Sequence, residues 1–467
     1  MDGLADKSLR YKINAEINGS PSLAVGIDIG TTTVSAAVID LTNKVQLDAF
    51  STPHDSYIEH PLFSEQSVAV IIEKAESILN EIYQNYRNIV SIGLTGQMHG
   101  IVYIDCDGNP VSNLITWQDK RADYKDANGM SVCEIIKNVA AVEISSGYGI
   151  ATHFYNIKNH LVPENAVGFC SIMDYFAMHL CGLKNAVTHS SVAASFGMFS
   201  LDKSSFMLEK LSLLGIDNSF LPKVTPSSEI IGKWNNIPVS IPIGDNQASF
   251  LGSVKNSNES LLINIGTGSQ ITASGDFSEI GEGTELRPLI NGKNLLCGSA
   301  LCGGSAYALL ESFFRNYVTF IGENGTLQYE SINELALKAY KNGERPLSVT
   351  TTFCGTRSDP KRRGSIENID LFNFTPSALA LGVIHGMCDE LYRLYQTMHI
   401  KKTHIVASGG AVRKNSVLRS VLQDMFGLNL SVCAVKEEAA TGVALFSALA
   451  LGKIGYNDGF SDFINYV

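Results

Sequence analysis

Gly26-Ile-Asp-Ile-Gly-Thr-Thr-Thr33 and Leu262-Ile-Asn-Ile-Gly-Thr-Gly-Ser269 are two versions of one pattern. Each runs an apolar strand with a single polar residue into a Gly-Thr turn. A second β-rich run follows, over 34–40 in the first copy and 270–274 in the second. Strand, tight turn, strand is a β-hairpin. Glycine admits the turn geometry, and small residues let a ligand approach the backbone. Successive N–H groups at such a turn form an anion-binding nest, to which hydroxyls add donors. One hairpin of this kind is common in plain sheets; two, one in each half, point to a phosphate clamp. A solenoid would repeat more often, so duplication of one domain is expected.

The sequence around the two hairpins reads as α/β. In the first half the pattern predicts a strand over 44–50 and a helix over 67–86, with Val70, Ile71, Ala75, Ile78, Leu79 and Ile82 at helical spacing. A strand over 90–94 ends at Thr95-Gly-Gln-Met-His-Gly100, and another over 100–104 runs into the turn Asp107-Gly-Asn-Pro110. A helix over 169–180 is expected to stop at Gly182. The second half predicts helices over 306–317, 331–340, 377–398 and 416–426. The boundary is expected within 246–259, which gives an N-terminal extension over 1–22 and domains over 23–252 and 253–467. Parallel α/β sheets place ligands at strand ends, and duplicated domains leave a cleft to which both hairpins would point.

The chain has 467 residues, 45% hydrophobic and 17% charged, with a net charge of −11. An acidic chain without a basic block is a poor partner for nucleic acid or an anionic membrane. Any phosphate is therefore expected to be held by backbone amides and a metal. The nine cysteines include no Cys-x-x-Cys pair, and the nearest two are Cys297 and Cys302. That spacing suits neither a zinc knuckle nor a disulfide scaffold, so reduced core thiols in a cytoplasmic protein are expected. Residues 1–22 have no apolar core of a signal peptide. The longest apolar run, 439–451, is shorter than the roughly 20 residues of a membrane span and reads as a buried helix.

Four places carry candidate chemistry. Asp28 stands among Val25, Ile27 and Ile29 in the first strand. It is either the outward residue of a half-exposed strand or a magnesium-positioning carboxylate, since Mg²⁺ takes one or two carboxylates plus phosphate oxygens. Asn264 at the matching point of the second copy is neutral, so the metal is expected in one half alone. Asp245, in Ile243-Gly-Asp-Asn-Gln-Ala248, reads by spacing alone as a helix N-cap. The functional alternative is a general base for phosphoryl transfer, kept ionised by the helix N-terminus. Ser408-Gly409-Gly410-Ala411 is either a plain tight turn or a place for a flat ligand. No Gly-x-x-x-x-Gly-Lys-[Ser/Thr] occurs, which excludes a P-loop. Arg357 with Lys361, Arg362 and Arg363 reads as a solvated basic loop.

Together these motifs resemble the FGGY carbohydrate kinases of the actin, Hsp70 and hexokinase superfamily, over about 23–451. Gly26–Thr33 resembles the family's first phosphate motif and Gly266–Ser269 its second. Gly244-Asp-Asn-Gln247 resembles its catalytic segment, Ser408-Gly-Gly410 with Asn415 its adenosine motif, and Glu438-Ala-Ala-Thr-Gly442 the helix that closes that motif. Gly96-Gln-Met-His-Gly100 and Trp117-Gln-Asp-Lys-Arg121 are similar to the sugar-pocket segments of its ketose kinases, the sedoheptulokinase branch first and the xylulokinase branch next. The resemblance implies two duplicated actin-like (ribonuclease H-like) α/β domains, an N-terminal sugar-binding one and a C-terminal nucleotide-binding one, with ATP and sugar in the cleft between them. It implies ATP and Mg²⁺ as cofactors and a small ketose as substrate, with a homodimer possible in the family. ATP phosphates would lie on Thr31, Thr32 and Thr33 and on Gly266, Thr267, Gly268 and Ser269. Its adenosine would lie on Gly409, Gly410 and Asn415, and Asp28 would position the metal. Gln97, Met98, His99, Trp117 and Asp119 would orient the ketose, whose terminal hydroxyl gives its proton to Asp245. Met98 also reads as core packing.

Two segments depart from the family pattern. The turn Thr-Asp-x-Ser-Asp-Ala-Ser reads His189-Ser-Ser-Val-Ala-Ala-Ser195, without either acid, and Gly-Glu-Arg reads Gly355-Thr-Arg357. Both bear on sugar identity and leave the phosphoryl-transfer set intact. A sugar-binding pseudokinase is one rival reading. A chaperone-like ATPase is the other; it would explain the hairpins but not Gln97-Met-His99 or Trp117-Gln-Asp119.

Overall fold

Alternation of large and small residues decides how the first sheet is covered. In β1 (Leu23–Ile29), Leu23, Val25, Ile27 and Ile29 pack in one apolar cluster with Ile71, Ala75, Leu79 and Ile82 of the helix Val68–Asn85. The intervening Ala24 and Gly26 leave the other face shallow. A Cβ at Gly26 would stand 1.9 Å from the Ala440 carbonyl oxygen, so the helix Glu438–Ala450 lies directly on the strand there. The same holds one strand over, where a Cβ at Gly93 would stand 2.0 Å from the Val443 oxygen. This structure, a computed structural model, describes residues 21–275, 277, 279–356, 359, 361–455 and 460–467.

The chain forms two compact units, the first made of Met1–Gly252, Arg287–Gly292 and Val435–Ile464 and the second of Ser253–Leu286, Lys293–Ala434 and Asn465–Val467. The first unit's sheet continues with β2 (Thr33–Asp40), β3 (Val45–Pro53), β4 (Ile89–Gly96), β5 (Ile230–Trp234), β6 (Ile237–Ser240) and β7 (Ile243–Gly244). Its order is β5-β6-β4-β1-β2-β3, and β7 pairs with the end of β4. β1, β2 and β3 are antiparallel neighbours, whereas β4 runs parallel to β1 and β6 parallel to β4.

The second unit repeats the pattern with β8 (Ser260–Ile265), β9 (Ser269–Gly275), β10 (Thr284–Pro288), β11 (Asn294–Ala300), β12 (His404–Ser408) and β13 (Asn429–Val432). Here β8, β9 and β11 are antiparallel neighbours, and β12 and β13 extend the sheet in parallel from β8. Three antiparallel strands followed by two parallel ones, twice over, make the duplicated actin-like, ribonuclease H-like α/β architecture. The helices Pro376–Thr397 and Ser416–Phe426 cover this second sheet, sharing an apolar cluster with Leu261, Ile263 and Ile265.

Two local readings change. The stretch expected as one helix over 169–180 is a strand, Gly168–Cys170, followed by the helix Ile172–Cys181, which Ser171 caps and Gly182 ends at φ 65°. The cysteines are all free, but Cys106 and Cys354 are exposed rather than core thiols. The helix Glu438–Ala450 packs on β1, β2 and β4 of the first unit. Its apolar residues cover every side, so the sequence announces burial without saying against what. Residues 1–20 of the expected extension, and Arg357 of the basic loop, lie outside the described residues; Lys361, Arg362 and Arg363 are exposed. Among the described residues no helix is long and apolar enough to cross a membrane.

Candidate active site

Parallel pairing brings three sequence candidates to one edge of the first sheet. Asp28 pairs with Thr95, and Thr95 with Ile243, so Asp28, Gln97 and Asp245 follow from the ends of neighbouring strands β1, β4 and β7. The Thr95 hydroxyl donates to the Ile243 carbonyl at 2.7 Å and locks β7 in place. Asp245 begins the helix Asp245–Ser253 as its first residue, inside the helix rather than as its cap. That helix is clamped from behind: a Cβ at Gly442 would stand 1.8 Å from the Ala248 oxygen, and one at Gly252 2.1 Å from the Glu438 oxygen.

The electrostatics differ from the sequence expectation for Asp245. Burial raises its pKa, with the Arg287 guanidinium opposing the shift, so the helix terminus does not hold it low. Asp28 is pushed up to about 8, by burial first and then by the negative charges of Asp245 and Glu437. Its Oδ1 is sealed from solvent without a hydrogen-bond partner, as are Oε1 of Gln97 and Oε1 of Gln247. Buried polar atoms are ordinarily paired, so this edge is built to meet a polar ligand. A carboxylate crowded by two others and lacking a donor fits a divalent cation, which would favour its ionised form. Among the described residues no three His, Cys, Asp or Glu groups are arranged to cage a metal. That donor set suits Mg²⁺ completed by phosphate oxygens and water.

The first Gly-Thr turn owes its shape to residues that the sequence did not single out. The carbonyl of Gly30 accepts from Nε2–H of His54 at 3.1 Å, that of Thr31 from Nε2–H of Gln66 at 2.8 Å, and that of Thr32 from the His54 N–H at 3.0 Å. In a trans peptide the N–H points opposite to the C=O. The amides of Thr31, Thr32 and Thr33 are therefore turned away from this support, the orientation that an anion-binding nest requires. His54 must carry its proton on Nε2, and its Nδ1 accepts from the Ser56 hydroxyl at 2.8 Å. Gln66 also receives Nε2–H of Gln97 at 2.8 Å, which ties the nest to the sugar-side segment. Neither His54 nor Gln66 belongs to a motif, and nothing local marks them.

In the second unit the equivalent turn is supported by a helix. The Gly266 carbonyl accepts from the Gly304 N–H at 2.8 Å, and that of Thr267 from Gly303 and Ser305 at 2.9 and 3.0 Å. By the same geometry the Thr267 and Gly268 amides face away from the helix Gly304–Phe320. Gly266 and Thr267 are exposed, whereas Ser269 is buried as the first residue of β9. Gly409 adopts φ 93°, and a Cβ on it would stand 2.4 Å from the Ile265 oxygen, so glycine is required. A Cβ at Gly410 would meet nothing within 4 Å. Asn415 has another occupation: its Oδ1 caps the helix Ser416–Phe426 by accepting from Leu418 N–H, and its Nδ2 donates to Asn333. Both polar atoms of the Asn415 side chain thus take part in the local fold of the segment that follows Gly409 and Gly410.

The sugar-side candidates also separate. Trp117 is 41% exposed and its Nε1–H donates to the Thr31 hydroxyl at 3.1 Å, next to the nest. His99 stacks on Tyr148 at 4.4 Å. Met98 is core, packed against Gly244, where a Cβ would stand 2.7 Å from its sulfur. Asp119 is 1% exposed, and both its oxygens are engaged, by the Arg121 N–H and Nε at 2.8 and 2.9 Å on one and by Ser64 N–H and Arg121 Nη2 at 2.8 and 3.1 Å on the other. Asp119 therefore anchors Arg121, which also holds Glu65 and Asn156, instead of presenting a carboxylate to a sugar.

The chain matches known proteins along most of its length. The model of the FGGY family of carbohydrate kinases, N-terminal domain, matches residues 23–252, and that of its C-terminal domain matches 290–451. Sedoheptulokinase of Mus musculus is 26% identical over 475 residues, 91% of this chain and 97% of the relative. Glycerol kinase of Saccharolobus islandicus is 28% identical over 467 residues, 93% of this chain and 89% of the relative. The ligand-bound xylulose kinase from Lactobacillus acidophilus shares the fold, with a TM-score of 0.81 at 20% identity over 96% of this chain and 93% of that one.

Proposed function

Because the chain belongs to the FGGY family of carbohydrate kinases, we propose that it transfers the γ-phosphoryl group of ATP to the terminal hydroxyl of a ketose, with sedoheptulose giving sedoheptulose 7-phosphate. The observation that carries this reading is the edge formed by Asp28, Gln97 and Asp245, with sealed, unpartnered oxygens beside a row of outward amides. The sedoheptulose assignment rests on Asn113-Leu-Ile-Thr-Trp-Gln-Asp119 and Gly147-Tyr-Gly-Ile-Ala-Thr152 and on the likeness to the mouse enzyme. A pentulose such as D-xylulose is the alternative, favoured by Gln97-Met98-His99.

Asp245 takes the hydroxyl proton on its carboxylate as the oxygen–phosphorus bond forms. Burial raises its pKa, which makes it a better acceptor than an ordinary aspartate, and the Arg287 guanidinium opposes that shift. In the first unit the amides of Thr31–Thr33 would bind phosphate oxygens and Asp28 would hold Mg²⁺, which would supply neutralisation of phosphate charge. In the second unit the Thr267 and Gly268 amides would likewise bind phosphate oxygens, and Gly409 and Gly410 would receive the adenosine. His99 and Trp117 orient the sugar, while Gln97 fixes the first nest. In a loose phosphoryl-transfer transition state most of the rate enhancement comes from such positioning.

Replacing Asp245 by Asn tests the base. The expected outcome is a loss of ketose-dependent ADP release by about 10²–10⁴-fold, the usual contribution of a positioned acid or base. Retention of near-parental release would overturn the assignment.

A further inference from the structure

Where the family's acidic turn is expected, this chain has a six-residue helix, Ser190–Ser195, tied at one end to His99 and at the other to Gly244, the residue before Asp245. At its start His189 is the N-cap, its Nδ1 accepting the Ser191 N–H at 3.1 Å. The Ser191 hydroxyl lies 2.8 Å from the same nitrogen and accepts the Gly244 N–H at 3.2 Å. Since Nδ1 is an acceptor, the hydroxyl donates to it and keeps its lone pairs for Gly244. That bond fixes the peptide between Ile243 and Gly244, one residue before Asp245.

At the other end, the Ser195 hydroxyl accepts the His99 N–H at 3.1 Å and donates to the Val192 carbonyl at 2.7 Å. The Ser195 carbonyl accepts Nδ1–H of His99 at 2.7 Å. A carbonyl can only accept, so neutral His99 carries its proton on Nδ1. His99 is also held at φ 73°, a left-handed conformation that a non-glycine residue adopts only under constraint. His189, Ser190, Ser191 and Ser195 are all at least 95% buried, which packing alone would not select. Burial pushes the His189 pKa down to about 4, so it caps the helix as a neutral ring.

We infer that the helix Ser190–Ser195 is a spacer that sets His99 and Asp245 relative to each other, with His189 and Ser191 positioning the base and Ser195 positioning the sugar contact. This rests on the ketose kinase reading above and adds that turnover and sugar affinity are set from opposite ends of one short helix.

The test is a split between kinetic constants. Ser191→Ala should lower kcat about tenfold with ketose KM within about twofold, and Ser195→Ala should raise ketose KM about tenfold with kcat within about twofold. His189→Asn retains an acceptor and should turn over like the parent, whereas His189→Leu should behave as Ser191→Ala. Equal changes in both constants in both alanine variants, or no change in either, would overturn the spacer. Should an alanine variant fail to fold, Ser191→Cys and Ser195→Cys, near-isosteric with a weaker acceptor, should give the same split in smaller measure. Asp245→Asn in the same assay separates the two claims. If it is inactive while Ser191→Ala matches the parent, the spacer alone has failed; if it stays active, the kinase base has failed.

Discussion

Asp28 keeps its proton up to about pH 8 in the folded chain, whereas an unfolded aspartate releases it near 4. Across that window the folded state binds more protons than the unfolded state, so this group subtracts stability as pH rises and has reached its full penalty above about pH 8. Asn carries no such charge. Asp28→Asn, measured in chelator without nucleotide, should therefore melt a few degrees above the parent near pH 8.5, with the gap nearly closed near pH 4.5. Equal melting temperatures at both pH values would contradict the strained carboxylate. Such a trade of stability for a charged ligand site is common at functional residues. The sequence makes Asp28, Asp245 and the two turns legible because each combines a polar residue with a strand end. It does not show that the Asp119 carboxylate is taken up by Arg121 and Ser64 or that Asn415 caps a helix, since a motif names a residue without saying which of its atoms are already bonded. Arg287, His54 and Gln66 reach their partners only through the folded chain, and no local pattern marks them.

At the scale of elements, the helix Glu438–Ala450 is held between β1 and β4 on one side and the helix Asp245–Ser253 on the other, with glycines at each contact. Gly442→Ala would drive a methyl group to 1.8 Å from the Ala248 oxygen. That overpacking should cost about 1–3 kcal/mol in urea unfolding, and the displaced helix should lower kcat as well. Gly455, where a Cβ meets nothing within 4 Å, provides the control: Gly455→Ala should match the parent. Parental stability of Gly442→Ala would contradict the close packing. Helices and strands with strong periodicity, such as Val68–Asn85 and Ser416–Phe426, are readable within a residue or so of their ends. The helix Ile172–Cys181 is not, because the short strand before it shares its apolar composition and only the Ser171 cap separates them.

Across the whole molecule, one strand pattern appears twice, and the Gly-Thr repeat announced that duplication directly. The copies have diverged where chemistry requires it: Asp28 in the first unit answers to Asn264 in the second, and the first turn is supported by His54 and Gln66, the second by a helix N-terminus. What the repeat could not reveal is that the chain returns to its first unit after the second is built, since Arg287–Gly292 and Val435–Ile464 join the first unit through contacts far apart in sequence. The central claim is that this carbohydrate kinase acts on a ketose. Its most direct test is the initial rate of ATP-dependent ADP release with sedoheptulose, D-xylulose, D-ribulose, L-fuculose and glycerol in parallel. The expected result is the highest kcat/KM with sedoheptulose, at least about tenfold above glycerol, as hydrogen-bonded hydroxyl recognition allows. An equal response to all five, or none above the sugar-free rate, would contradict it.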